Sequence, residues 1–185
     1  MEKGKKVIIG LLGESGSGKD TVANYLQKKY DAKLMRFADP IKETLNIYFE
    51  KSSREDQQWL ALEFRQRFGA DILSRALAKK IANADGLIVI NGIRFWEDYE
   101  FVESFEGGKT FYVTADQKLR WERTRSRHEK SDDDISFEQF QASERVETEV
   151  HIPEIGVKAD FVIRNEEDLA FLLAETDKIM VGIMA

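Results

Sequence analysis

The chain has 185 residues, of which 42% are hydrophobic and 34% charged, enough for one domain with a substantial core. The formal net charge of −6 argues against a general binder of polymeric nucleic acid, and the absence of cysteine excludes disulfides and thiolate chemistry. No apolar stretch is long enough to span a membrane, so we expect a single cytoplasmic domain over residues 1–185.

An apolar strand over residues 7–12 leads into a glycine-rich turn that opens a helix. The turn reads Gly-x-x-x-x-Gly-Lys over residues 13–19, and Val22, Tyr25 and Leu26 share one face of the helix behind it. Strand, glycine loop and helix in this order are typical of a P-loop (Walker A), whose amides hold phosphate. The residues expected to contact a nucleotide are Gly13, Ser15, Gly16, Ser17, Gly18 and Lys19.

The residue after Lys19 departs from the usual P-loop pattern. Asp20 stands where a Ser or Thr is common, and the hydroxyl comes one position later at Thr21. Either side chain can serve Mg²⁺, directly or through water, so both Asp20 and Thr21 are candidate metal ligands.

Strands and helices alternate along the rest of the chain, which predicts an α/β fold with a parallel sheet covered on both faces. Ligands of such sheets bind beyond the carboxyl ends of the strands. Further strands are predicted at 33–38, 86–90, 110–114 and 160–164. Helices are predicted at 39–49, 97–105, 116–128, 137–150 and 166–179, with two more helical patterns following a polar interruption at 51–57.

Polar residues follow the second and third strands. Asp39 is either the N-cap of the next helix or a group that faces a second substrate, the acceptor of a phosphoryl group. In the second case it would bind the acceptor's hydroxyl, bind the water shell of the metal, or act as a base. Asn91 stands where many P-loop enzymes have a metal-supporting Asp, which shifts that role toward Asp20 or Asp39. Arg94 either grips an acceptor phosphate or pairs with a neighbouring carboxylate, and Arg36 can reach the same phosphate if it faces the cleft.

The helix at 116–128 carries four arginines in eight residues. Its arginines form either a solvated charge face or part of a helical lid, about 116–150, that closes on the transferred phosphoryl group. In the lid interpretation Arg123 and Arg127 contact that group. Asn165, after the last strand, is a candidate for the nucleotide base or another N-cap.

Four segments resemble P-loop nucleoside and nucleotide kinases: 13–21, 37–42, 88–94 and 159–169. The first two, with residues 68–75, resemble deoxynucleoside monophosphate kinases, and the last resembles the end of dephospho-coenzyme A kinases. The resemblance implies a P-loop NTPase fold with a five-stranded parallel sheet in the order 2-3-1-4-5, a helical lid, and ATP with Mg²⁺ as the donor.

These observations predict an ATP-dependent kinase, monomeric or homodimeric, that phosphorylates a small nucleotide, first of all a (deoxy)nucleoside monophosphate. Lys19, Asp39, Arg94, Arg123 and Arg127 are its expected catalytic residues. A dephospho-coenzyme A kinase-like enzyme and a non-catalytic nucleotide-binding switch are the alternatives.

Overall fold

A five-stranded parallel sheet forms the centre of the computed structural model, which describes residues 6–127 and 135–184 and does not describe the side chain of Arg127. The strands lie in the order β2-β3-β1-β4-β5, which confirms the predicted order. Their bounds are β1 Lys6–Leu12, β2 Lys33–Arg36, β3 Gly86–Asn91, β4 Lys109–Thr114 and β5 Phe161–Arg164.

Helices cover both faces of this sheet. Those before β4 are α1 Lys19–Tyr30, α2 Asp39–Tyr48, α3 Arg54–Phe68, α4 Ile72–Ala82 and α5 Trp96–Glu103. Those after it are α6 Gln117–Arg127, α7 Phe137–Ser143, α8 Ile152–Gly156 and α9 Leu169–Met184. Throughout the described ranges, none of these helices has the length and apolar character needed to cross a bilayer.

Alternate residues of β1 pack into two separate hydrophobic cores, because successive side chains of a strand point to opposite faces of the sheet. Ile8 and Leu12 pack into the core shared with α2, α4 and α8. Ile9 and Leu11 pack into the core shared with α1 and α9. The sheet is therefore rigidly held at its centre, and the carboxyl end of β1 enters the glycine loop from a fixed position.

The register brings two predicted site residues together at this edge of the sheet. Asn91 ends β3 between Leu11 of β1 and Arg36 of β2. The glycine loop begins two residues after Leu11, so strand order alone places Arg36 and Asn91 beside it.

Two predicted boundaries are wrong. The polar interruption at 51–57 is shorter than expected, because Ser53 and Asp56 form a capping box that starts α3 at Arg54. The helix predicted at 137–150 ends at Ser143. Residues 148–149 instead turn their side chains toward α3 and the loop after β3, so tertiary contacts override the local helical pattern.

Asp39 is not the N-cap of α2. It is the first helical residue, Ala38 precedes it as the cap, and its carboxylate accepts a hydrogen bond of 2.7 Å from the backbone N–H of Arg36. Residues 128–134, which fall within the predicted lid region, lie outside the described residues.

Candidate functional site

The glycine loop between β1 and α1 needs glycine for steric reasons. Gly16 has a φ of +77°, and a Cβ there would lie 2.2 Å from the carbonyl oxygen of Arg120. Gly18 has a φ of +97°, and its Cβ would lie 2.4 Å from Nδ2 of Asn165. Only glycine adopts these angles without strain, so the loop is a narrow backbone cradle of the kind that binds phosphate.

Two side chains brace the loop from other elements. Arg120, at the start of α6, donates from Nη1 to the carbonyl of Ser15 at 3.3 Å. Asn165, after β5, donates from Nδ2 to the carbonyl of Ser17 at 2.8 Å. These bonds fix the loop before any ligand arrives, which lowers the entropy cost of binding.

Lys19 is largely buried beside this cradle, with 16% of its side chain exposed. Its Nζ lies 3.1 Å from Oδ1 of Asp20. Burial lowers the pKa of Lys19, and the charges of Arg94 and Arg36 lower it further, although Asp20 opposes the shift. The site therefore brings three positive charges, those of Lys19, Arg36 and Arg94, close to one another.

Asn91 joins this group through Asp20. Its Nδ2 donates to Oδ1 of Asp20 at 2.7 Å, while its own Oδ1 is buried with no hydrogen-bond partner among the described residues. A buried carbonyl oxygen without a partner is costly, and a metal-bound water at this position would satisfy it. The donor set of a carboxylate, an amide oxygen and the nearby Thr21 hydroxyl suits Mg²⁺, which prefers oxygen ligands.

A cleft of about 860 Å³ opens from the glycine loop toward α2 and α3. It is large enough for two small ligands, and cationic side chains line it on both sides. These are Lys19, Arg36, Lys42, Arg54, Arg65, Arg94 and Arg123.

Arg94 and Arg54 meet at one carboxylate in the cleft wall. Arg94 donates from Nη1 to Glu149 and, at 3.2 Å, to the carbonyl of Thr148. Arg54 donates from Nη2 to the same oxygen of Glu149 at 3.0 Å. Burial and the charge of Arg54 lower the pKa of Arg94 to about 10, so Arg94 is still charged at neutral pH.

A buried ion pair supports the loop that carries Arg94. Arg65 bonds to Asp98 at 2.6 Å, and their side chains are only 8% and 1% exposed. The other oxygen of Asp98 accepts from the backbone N–H groups of Arg94 and Phe95. Arg65 also lies over the Phe95 ring, 4.2 Å from its centroid. The neighbouring carboxylate predicted as a partner for Arg94 therefore holds its backbone, not its guanidinium.

Arg123 lies on the other side of the glycine loop. It donates from Nη1 to the carbonyl of Asn165 at 2.7 Å and from Nη2 to that of Glu167 at 3.3 Å. The cleft wall on this side of the glycine loop is formed by Arg123, Asn165, Glu167, Leu169 and Leu172. This end offers backbone groups, a guanidinium and two leucines, a combination that suits a nucleotide base.

The structure brings most of the predicted residues to this single cleft. The cleft is lined by residues 13–21 and by Arg36, Arg94, Arg123 and Asn165. Asp39 does not line it, because its carboxylate turns back to the backbone of Arg36. The side chain of Arg127 lies outside the described residues.

Sequence reasoning missed Arg54 and Glu149. Arg54 could have been found, because the capping box of Ser53 and Asp56 marks a helix start and places Arg54 in its first turn. Glu149 carries no such signal, since only the folded chain reveals that it is buried between two arginines.

Comparison with known proteins supports the kinase resemblance. A family model described as deoxynucleotide monophosphate kinase matches residues 7–87, which include the glycine loop and Arg36. A UPF0200 protein of Sulfurisphaera tokodaii is 25% identical over 177 residues, covering 96% of this chain and 97% of that protein. A UPF0200 protein of Pyrococcus furiosus is 27% identical over 180 residues, covering 94% and 96%.

Solved structures confirm the fold. A shikimate kinase from Bacteroides thetaiotaomicron superimposes with a TM-score of 0.66 at 16% identity, covering 97% of this chain and 99% of that one. The protein TT1252 from Thermus thermophilus gives a TM-score of 0.62 at 23% identity, covering 96% and 97%. The predicted likeness to the P-loop nucleoside and nucleotide kinase group is thus confirmed.

Proposed function

We propose that this P-loop kinase-fold protein transfers the γ-phosphoryl group of ATP to the phosphate of a (deoxy)nucleoside monophosphate. The observation that carries the proposal is the convergence of Lys19, Arg36 and Arg94 on one cleft beside the glycine loop. Phosphoryl transfer needs little covalent help from a protein, and its catalysis consists mainly of positioning and charge stabilisation. A cleft lined by fixed cations suits that requirement.

The donor end of the cleft fits a nucleoside triphosphate. The amides of residues 13–18 and the charge of Lys19 bind the phosphates, and the leucines near Asn165 border the base. Arg123 is tied to the carbonyls of Asn165 and Glu167, so we assign it to this end of the cleft. Contact of Arg127 with the transferred group, and closure of a lid over 116–150, remain predictions.

Mg²⁺, when bound with ATP, supplies charge neutralisation on the phosphates. Asp20 would hold it, because this carboxylate lies next to Lys19 in the first turn of α1. Asn91 orients Asp20 through the 2.7 Å hydrogen bond, and its Oδ1, which has no hydrogen-bond partner among the described residues, can accept from a water. Thr21 lines the same cleft and adds a hydroxyl. The negative charge that many P-loop enzymes place at the end of β3 thus lies instead in the first turn of α1.

The acceptor end favours a phosphate over an alcohol. A phosphate is already an ionised nucleophile, whereas a sugar hydroxyl benefits from a base. Asp39, the predicted base, accepts a backbone hydrogen bond and does not line the cleft. This observation argues for a nucleoside monophosphate acceptor over the dephospho-coenzyme A alternative.

The test is ADP release from ATP with Mg²⁺ in the presence of each ribo- and deoxyribonucleoside monophosphate, and then of dephospho-coenzyme A. We expect turnover with one or a few monophosphates and a loss of roughly 10²–10³-fold in Lys19→Ala. Lys28→Ala is the matched control, because Lys28 lies exposed on the same helix. Release with dephospho-coenzyme A alone would refute the proposed acceptor.

Silence with every acceptor, while ATP still binds, would refute the kinase proposal itself. That result would favour the nucleotide-binding switch. Equal activity in Lys19→Ala and Lys28→Ala would show that the measured turnover comes from a contaminant.

A further inference from the structure

The carboxylate of Glu149 joins two arginines that come from distant parts of the chain. Arg54 begins α3 and Arg94 follows β3, and both donate to the same oxygen of Glu149. Glu149 is 8% exposed, so it is a buried carboxylate, and its Oε1 accepts from both arginines. A carboxylate in this position fixes two guanidiniums relative to each other.

The neighbouring residue strengthens the same connection. The carbonyl of Thr148 accepts from Arg94 at 3.2 Å, and its hydroxyl accepts from Nε2 of Gln58 at 3.1 Å. Thr148 is itself buried. Residues 148–149 therefore tie the loop after β3 to α3, which are two separate walls of the cleft.

The two arginines do not come together without cost. Their charges repel, and the charge of Arg54 acts with burial to lower the pKa of Arg94. Glu149 places a negative charge between them and offsets that repulsion. Yet 35% of the Arg94 side chain and 31% of that of Arg54 stay exposed, and both line the cleft.

We infer that Glu149 is a positioning residue that holds Arg54 and Arg94 as a two-pronged site for the acceptor's phosphate, with Arg54 a further phosphate-binding residue. The inference rests on the proposed function. Together with Arg36, the cluster has three guanidiniums and one carboxylate, a formal charge of +2. A phosphate monoester carries a charge of about −2 at neutral pH, so the site matches it in charge, and two guanidiniums can each donate to its oxygens.

The experiment measures binding of each ribo- and deoxyribonucleoside monophosphate, one at a time, and of ADP, by titration calorimetry without any turnover. We expect Glu149→Gln to weaken binding of the preferred monophosphate by about tenfold, because the guanidiniums lose their common partner. ADP binding should change less than twofold. Glu154→Gln is the control, since it removes the same charge from an exposed residue of the same region.

A double-mutant cycle separates positioning from a general structural effect. Arg54→Gln should weaken monophosphate binding strongly in the wild-type protein and far less in the Glu149→Gln background, because Glu149 acts through Arg54. Additive effects would contradict the inference. If Glu149→Gln does not fold, Glu149→Asp replaces it. Its shorter side chain keeps the charge but cannot contact both arginines, so we expect a loss of monophosphate affinity smaller than that in Glu149→Gln.

The outcomes distinguish the inference from the proposed function. Equal or tighter monophosphate binding by Glu149→Gln would mean that the carboxylate competes with the phosphate, and would overturn the inference. If the wild-type protein binds ADP but none of the ribo- or deoxyribonucleoside monophosphates, the proposed acceptor is wrong and the inference falls with it.

Discussion

Replacing Asn91 with Asp tests the paired arrangement of Asn91 and Asp20 directly. The change puts two carboxylates where Nδ2 of Asn91 now donates to Asp20 at 2.7 Å. At that distance their repulsion is about 6 kcal/mol with an effective dielectric constant of about 20. Protonating one of them at pH 7 costs about 4 kcal/mol and sets the upper limit. Because the Asp20 side chain is 57% exposed, solvent screening lowers the expected loss of stability to about 2 kcal/mol.

This loss depends on pH with a definite sign. The new carboxyl group has a pKa in the folded state above its unfolded value of about 3.9. The destabilisation is therefore absent below that value and grows as the pH rises toward the folded-state pKa. At pH 7 we expect Tm to fall by roughly 4–8 °C, and at pH 4, close to the unfolded-state pKa, by less than half as much.

Thermal unfolding with and without Mg²⁺ completes the assay. A cation bound between the two carboxylates would remove their repulsion, so Mg²⁺ should raise Tm more in Asn91→Asp than in the wild-type protein. Asn91→Ala is the control, because it loses the hydrogen bond, about 1 kcal/mol, without adding charge. A fall in Tm that is equal at pH 4 and pH 7 and insensitive to Mg²⁺ would refute the reasoning.

Three further predictions concern the loop and its supports. Gly16→Ala should destabilise the fold by about 2 kcal/mol or more and weaken ATP binding, because its Cβ would meet the carbonyl of Arg120. Wild-type values in thermal unfolding and in ATP titration would contradict this prediction. Asp98→Asn should cost about 3–5 kcal/mol in denaturant unfolding, since it leaves Arg65 buried without its counter-ion, and a loss under about 1 kcal/mol would be too small. ATP affinity should fall as the pH rises through the lowered pKa of Lys19, and titrations of Lys19→Arg should stay flat over the same range.

The parts of the site that are local in sequence could be predicted. The loop from Gly13 to Lys19 is contiguous, so its strand, glycines and helix are visible in one window. Asn91 and Arg94 were predicted because they follow a strongly apolar strand, and the carboxyl ends of parallel strands share one edge. The order of the strands came from the family resemblance, not from the pattern of apolar residues.

The parts that depend on distant packing could not be predicted. Arg54 and Glu149 are separated by 95 positions along the chain, and no periodicity connects them. The burial of Thr148 and Glu149 also ended a helix that the local pattern extends to residue 150. Asp39 was misplaced by one residue, and that single step turns its carboxylate toward the backbone of Arg36.

The contact between α6 and the glycine loop limits how this part of the protein can move. Arg120 bonds to the carbonyl of Ser15, while its own carbonyl packs against Gly16 and accepts from the Thr124 hydroxyl at 2.9 Å. The first two turns of α6 and the phosphate cradle therefore behave as one rigid body. If the predicted lid at about 116–150 closes, it cannot pivot at the start of α6. A rotation of the first two turns of α6 would instead move the glycine loop with them.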